Sequence, residues 1–282
     1  MENNLISEIV RNTYERAKAG NIGSDNDYKG ADGLLYCGIC QEPKEAYLEE
    51  RHRKFIPSGI VPIMCRCARE RQAEENKLDE QLRAWGLANK LREQGLTNPE
   101  YYHYTFSADN GSAPEAIAAA RWYSDNFEEL RKQKKGMLFM GSMGTGKTFA
   151  ACCIANALID KGITAWVTTL FPLLQAVRDF KTSLYTLERI RNVDLLVLDD
   201  FGTAQGGTGE TELLYQIINT RYLSGKPLVI TTNLTPADIK NAPLEFSRIY
   251  DRLREMCMCE KSPVKLTGKS LRVQAAKDKQ KG

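Results

Sequence analysis

Residues 141–148 read Gly141-Ser142-Met143-Gly144-Thr145-Gly146-Lys147-Thr148, and every fixed position of the phosphate-loop pattern G-x-x-x-x-G-K-[ST] is met. Ahead of it, Met137 to Met140 is a short apolar run that reads as a buried parallel strand. Behind it, Phe149 to Ile159 is an alanine-rich helix. That order matters, because the glycines turn backbone N–H groups inward around a β-phosphate and the helix N-terminus adds the positive end of its dipole. Lys147 reaches the β- and γ-phosphates and Thr148 offers a hydroxyl to Mg²⁺. The stretch predicts a nucleoside triphosphate site and an α/β fold built on parallel strands.

Working outward, Leu195-Leu196-Val197-Leu198-Asp199-Asp200 is a second buried strand closing on two carboxylates. Asp199 is placed to hold Mg²⁺ through water and Asp200 to orient or deprotonate the attacking water. Thr164–Thr168 and Leu228–Asn233 read as further strands. The polar tip of the last one, Asn233, falls where a side chain can position that water. Helices are predicted over 113–132, 170–179 and 212–222. Asn98 to Phe106 gathers Tyr101, Tyr102, Tyr104 and Phe106, an aromatic cluster that either lies near the nucleotide base or belongs to the core.

The 282 residues suffice for one large or two modest domains, and 42% hydrophobic with 27% charged residues is ordinary for a globular chain. A net charge of +3 gives no global pull towards nucleic acid, so any such site must be local. The cluster Arg131-Lys132-Gln133-Lys134-Lys135 is one candidate for phosphate contact and equally a solvated basic turn. No run of about 18 apolar residues and no basic-then-apolar leader is present, which predicts a cytoplasmic protein without a membrane partner.

Eight cysteines occur, and their grouping says more than their number. Cys37-Gly-Ile-Cys40 and Cys65-Arg-Cys67 stand 24 residues apart, a spacing that closes a tetrahedral Cys₄ zinc site in a small module. Prolines 43, 57 and 62 between them favour a loop or ribbon over a long helix. His52 in that loop is an alternative ligand. Cys152, Cys153, Cys257 and Cys259 read as core residues. A charge-laced helix over 68–94 follows, with Leu78, Leu82 and Trp85 as a thin apolar stripe for another domain or a partner.

Taken in order, the phosphate loop, the Asp199-Asp200 strand, Asn219-Thr-Arg221-Tyr, Val229-Ile-Thr-Thr-Asn233, Phe246-Ser-Arg248-Ile-Tyr-Asp251-Arg252-Leu253 and Thr267-Gly-Lys-Ser-Leu-Arg272 resemble the AAA+ ATPases of the DnaC/DnaI helicase-loader group. The IstB transposition ATPases are close relatives. The resemblance covers roughly residues 98–273, and the cysteine module resembles the N-terminal zinc domain by which loaders hold the replicative helicase. It implies a five-stranded parallel sheet flanked by helices with a reduced lid, and a slow, assembly-dependent ATPase using ATP, Mg²⁺ and Zn²⁺. It also implies sensor roles for Asn233 and Arg272, and a trans-acting arginine that is either Arg248 or Arg252 unless these pair with Asp251 or Glu255. Asp200 stands where AAA+ proteins generally carry Glu. The implied organisation is a zinc-binding, helicase-interacting domain over 1–70, a helical linker over 71–97, the ATPase over 98–275 and a disordered tail over 276–282. The implied function is loading of a hexameric replicative helicase onto single-stranded DNA, with self-association through ATP at subunit interfaces. The alternative is a transposition helper acting on duplex DNA with a transposase; a third is a zinc-bearing ATPase scaffold with no DNA role.

Overall fold

The computed structural model describes residues 26–50, 53, 56, 58–202 and 209–267. A short helix that the sequence allows over Leu5–Ala17 lies outside the described residues, as do His52, Arg272 and the tail 276–282. The chain divides into two units, Met1–Arg83 and Ala84–Gly282.

In the first unit two short antiparallel hairpins frame the cysteines. Strand β1 (Tyr28–Lys29) pairs with β2 (Leu35–Tyr36), and β3 (Glu45–Tyr47) with β4 (Ile60–Pro62). The stretch between the cysteine pairs is thus a ribbon. Its buried apolar cluster consists of Cys37, Cys65 and Ala68, too little transfer free energy to hold a fold by itself. A buried ion pair of Lys44 and Asp27 at 2.6 Å adds a fixed point.

Helix α1 (Arg66–Gly95) crosses the division between the units. Its last residue explains how it ends. A Cβ at Gly95 would lie 1.9 Å from the Ala165 carbonyl oxygen, so only glycine admits this approach to the sheet. Leu96 then bridges Val167, and the Thr97 hydroxyl donates to the Val167 carbonyl at 3.0 Å. These contacts cover a strand edge that would otherwise be open.

The second unit is a three-layer α/β structure. Strands β5 (Met137–Gly141), β6 (Ala165–Thr169), β7 (Leu195–Phe201), β8 (Leu228–Thr232) and β9 (Val264–Leu266) form one parallel sheet in the order β6-β7-β8-β5-β9. Alternate residues serve opposite faces, as a period of two requires. Met137, Phe139, Val167, Leu195, Val197 and Val229 pack with helices α2 (Pro114–Asp125), α3 (Phe127–Lys132) and α4 (Lys147–Asp160). Leu196, Leu198, Leu228 and Ile230 pack with α5 (Leu170–Arg178), α6 (Phe180–Asn192), α7 (Glu210–Ser224) and, after the short α8 (Pro236–Lys240), α9 (Leu244–Cys257). Cys152, Cys153 and Cys257 are buried in these cores and Cys259 is half-buried. The single helix expected over 113–132 is two, broken at Asn126. Helix α6 and strand β9 complete the five-stranded, helix-flanked architecture. Among the described residues no helix is long and apolar enough to cross a membrane.

Candidate active site and metal centre

The phosphate loop joins β5 to α4 with its glycines in the conformations the turn demands. Gly144 and Gly146 have φ of 80° and 89°, left-handed values that side chains resist. Gly146 caps α4, so the first helical residues are Lys147 and Thr148. The buried Lys147 ammonium donates to the carbonyls of Gly141 (2.9 Å) and Ser142 (2.8 Å) and to Asn233 Oδ1 (2.8 Å). The loop and the tip of β8 thereby meet at one cation.

Thr148 Oγ1 donates to Asp199, 2.8 Å from Oδ1 and 3.1 Å from Oδ2. Thr231 Oγ1 donates to Asp199 Oδ1 at 2.5 Å and accepts the Asp200 N–H at 2.9 Å. Burial raises the Asp199 carboxyl above the usual carboxylate range; the hydroxyls of Thr231 and Thr148 counter it in part, while the Asp200 charge adds to it. Asp200 is exposed and takes φ of 52° where the β7–β8 register slips between Leu198 and Phe201. Such an irregularity re-aims a side chain beside a site. Asp199 is therefore buried at the end of the strand while Asp200 is exposed, and both border one cavity.

That cavity has a volume of about 400 Å³ and is lined by Met143 to Phe149, Asp199, Asp200 and Asn233, with Asn98, Glu100, Tyr101 and Tyr104 closing it from the segment after α1. The Tyr104 ring lies 5.3 Å from that of Phe149. Half of the aromatic cluster thus borders the site, while Phe106 carries the Arg121 guanidinium 4.5 Å above its ring. A larger cavity of about 560 Å³ beneath α9 is walled by side chains such as Leu138, Ile230, Tyr250 and Leu253; it lacks the loop amides and the paired carboxylates.

Some anticipated residues are elsewhere. Arg248 and Arg252 lie on α9 outside the cavity lining. Arg248 is exposed, whereas Arg252 stacks 4.6 Å from the Tyr215 ring and 5.4 Å from that of Tyr222. Neither takes Asp251 or Glu255, which go to Arg254 (2.6 Å) and to the Tyr222 hydroxyl (3.0 Å). In the basic cluster, Arg131 pairs with Asp194 and Lys135 donates to the Glu255 carbonyl. Sequence reading missed Thr231 and Tyr101 as neighbours of Asp199; the two consecutive threonines inside a buried strand were the one available signal.

The four cysteines of the first unit converge. Their sulfurs lie within 4.8 Å of one another, with Cys37–Cys67 at 3.5 Å and Cys65–Cys67 at 3.7 Å. Four thiolates about 2.3 Å from one zinc ion stand about 3.8 Å apart, so the cluster fits the ion. Backbone N–H groups of Cys67 and Glu42 hold the Cys40 thiol down at about 6, and the N–H of Cys40 lowers Cys37. Cys67 is pushed up to about 12 by the neighbouring thiols Cys40 and Cys37, and burial raises Cys65. Backbone N–H groups thus favour the thiolate at Cys40 and Cys37, and a divalent cation would favour it at all four sulfurs. Thr148 and Asp199 offer the oxygen pair that suits Mg²⁺.

A five-stranded parallel sheet in this order, carrying a phosphate loop on β5 whose threonine donates to the carboxylate at the end of β7, with β8 between the two strands, is that of an AAA+ ATPase. The chain belongs to the family of IstB-like ATP binding proteins, whose sequence model matches residues 81–279. The replicative helicase loader DnaC of Escherichia coli (strain K12) is 26% identical over 223 residues, covering 73% of this chain and 88% of its own length. The uncharacterized protein YdaV of the same strain is 29% identical over 218 residues, covering 72% and 86%. Among solved structures, DnaI shares the fold with a TM-score of 0.52 at 23% identity, over 62% of this chain and 94% of that one.

Proposed function

We propose that this ATPase loads a hexameric replicative helicase onto single-stranded DNA at the start of replication, in the cytoplasm. The observation that carries the reading is a conjunction. An ATPase unit similar to a protein named replicative helicase loader is joined, outside the residues matched by the family, to a four-thiol module of zinc-binding geometry. We divide the chain into the zinc-binding, helicase-holding domain (1–70), the helical linker (71–97), the ATPase (98–275) and a tail (276–282).

In this reading residues Gly141 to Thr148 cradle the phosphates of ATP, with Lys147 exchanging its carbonyl partners for phosphate oxygens. Thr148 and Asp199 hold Mg²⁺, which when bound neutralises phosphate charge. Asp200 orients and deprotonates the attacking water, and Asn233 positions it beside Lys147. Arg248 is the arginine offered to a neighbouring subunit's γ-phosphate, since it is exposed and has no hydrogen bond or ion pair among the described residues. Arg252 fastens α9 to α7, and Arg272 is kept as the second sensor. ATP at subunit interfaces then couples assembly to hydrolysis.

The test is co-sedimentation of the full chain with the replicative helicase of its source organism, with and without ATP, beside a Cys37→Ser/Cys40→Ser variant. A complex formed by the natural chain and lost in the variant is expected. No complex under any nucleotide condition would overturn the loader reading. Retention of duplex DNA would then move a transposition helper to first place, and retention of no DNA a scaffold ATPase.

A further inference from the structure

Hydroxyls from three separate elements surround Asp199. Thr148 and Thr231 come from α4 and β8, and the third is the phenol of Tyr101, 3.5 Å from Oδ2. Tyr101 stands 98 positions earlier in the chain, in the 3₁₀ turn Pro99–His103, and is 9% exposed. No phosphate-loop motif includes it.

Its backbone is clamped. The Tyr101 carbonyl accepts the Asn156 amide at 2.8 Å, and the same Nδ2 reaches the Tyr104 carbonyl at 3.0 Å. Asn156 Oδ1 accepts from Arg92 Nε at 3.0 Å, and Arg92 also pairs with Asp160. Asn156 belongs to α4, whose first turn supplies Lys147 and Thr148. The phenol and the Thr148 hydroxyl therefore approach Asp199 as parts of one framework, one at Oδ2 and the other bridging both oxygens.

We infer that Tyr101 is a positioning residue of the ATPase site, its hydroxyl fixing the rotation of the Asp199 carboxylate so that an oxygen faces the divalent cation. The inference rests on the proposed metal role of Asp199. Donors that orient a ligating carboxylate are worth roughly 10–100-fold in metal affinity. Tyr101→Phe removes the hydroxyl and leaves the ring that packs in the core.

The experiment titrates Mg²⁺ into the full-length protein with a fluorescent ATP analogue, for the natural chain, Tyr101→Phe and Asp199→Asn. Melting midpoints and nucleotide affinity in EDTA are measured alongside. Tyr101→Phe is expected to need about tenfold more Mg²⁺ for half-saturation, with metal-free nucleotide affinity and melting unchanged. An unchanged Mg²⁺ midpoint in Tyr101→Phe, with the midpoint shifted in Asp199→Asn, overturns the inference and leaves the metal assignment standing. An unchanged midpoint in both removes the metal role of Asp199 and the inference together. Weaker metal-free nucleotide binding without a Mg²⁺ shift makes the phenol a wall of the nucleotide pocket and also overturns it.

Discussion

Asp200 shows how one residue carries both the strain and the chemistry of its position. Its φ of 52° lies in a region where Asp and Asn are enriched because their short side chains bond locally, whereas longer side chains gain nothing. That gives a structural reason for Asp at a position where AAA+ proteins generally carry Glu. Asp200→Asn should keep the fold and bind Mg²⁺ and nucleotide as before, while single-turnover hydrolysis falls by about 10²-fold. Asp200→Glu should melt at a lower temperature. Retained hydrolysis in Asp200→Asn would remove the proposed role. Lys147, Thr148, Asp199 and Asn233 were legible in sequence because the loop and the strand ends fix their spacing. Thr231 and Tyr101 were not, because nothing local ties a residue to a carboxylate 32 or 98 positions away.

Between elements, two charges outside the nucleotide cavity hold the sheet to its helices. Arg221 on α7 is fully buried and donates to the carbonyls of Ile190 (2.8 Å), Val193 (2.7 Å), Asp194 (3.0 Å) and Pro227 (3.1 Å). It closes the end of α6 and the turn before β8. Asp194 collects Arg131 of α3 at 2.7 Å, Lys226 at 3.3 Å and the Thr164 hydroxyl at 2.7 Å. Burial alone would raise its carboxyl, but the Thr164 hydroxyl with Lys226 and Arg131 outweighs it, and the net shift is downward. A carboxyl lowered by folding stabilises the protein above its unfolded pKa, and that contribution disappears as pH falls through the folded value. Asp194→Asn should therefore cost about 1–2 kcal/mol at neutral pH, with the difference shrinking towards zero in acid below the ordinary carboxylate range. Urea unfolding at several pH values checks this; a constant difference would contradict it. Helix α6 escaped the sequence reading because its apolar pattern is inverted. Phe180, Leu184 and Tyr185 point outward at 95%, 71% and 69% exposure, while Thr186 and Ile190 face in. Strand β9 was too short to show a period.

On the scale of the whole molecule, the sequence disclosed an ATPase and a cysteine module because each is organised by short motifs with fixed spacing. The segment joining them is different in kind. Between Ala68 and Ala88 of α1 every residue except Gln72 is exposed, Leu78, Leu82 and Trp85 included. What holds these turns is local: Gln72 bonded to Asn76 at 3.1 Å, an Arg83–Asp79 pair at 3.9 Å, and helix propensity. Such turns open without either unit unfolding, at a fraction of the free energy that protects a core. The consequence concerns proteases. Trypsin has Arg69, Arg71, Lys77 and Arg83 within this stretch. Among the described residues the first cuts should fall there, leaving a fragment that contains the phosphate loop and still binds nucleotide. Mass spectrometry of a short digest, followed by nucleotide titration of the fragment, checks both; first cuts inside the sheet would contradict it. Among the described residues, the peptide bonds most open to digestion are then those whose loss removes the cysteine module while leaving the ATPase whole.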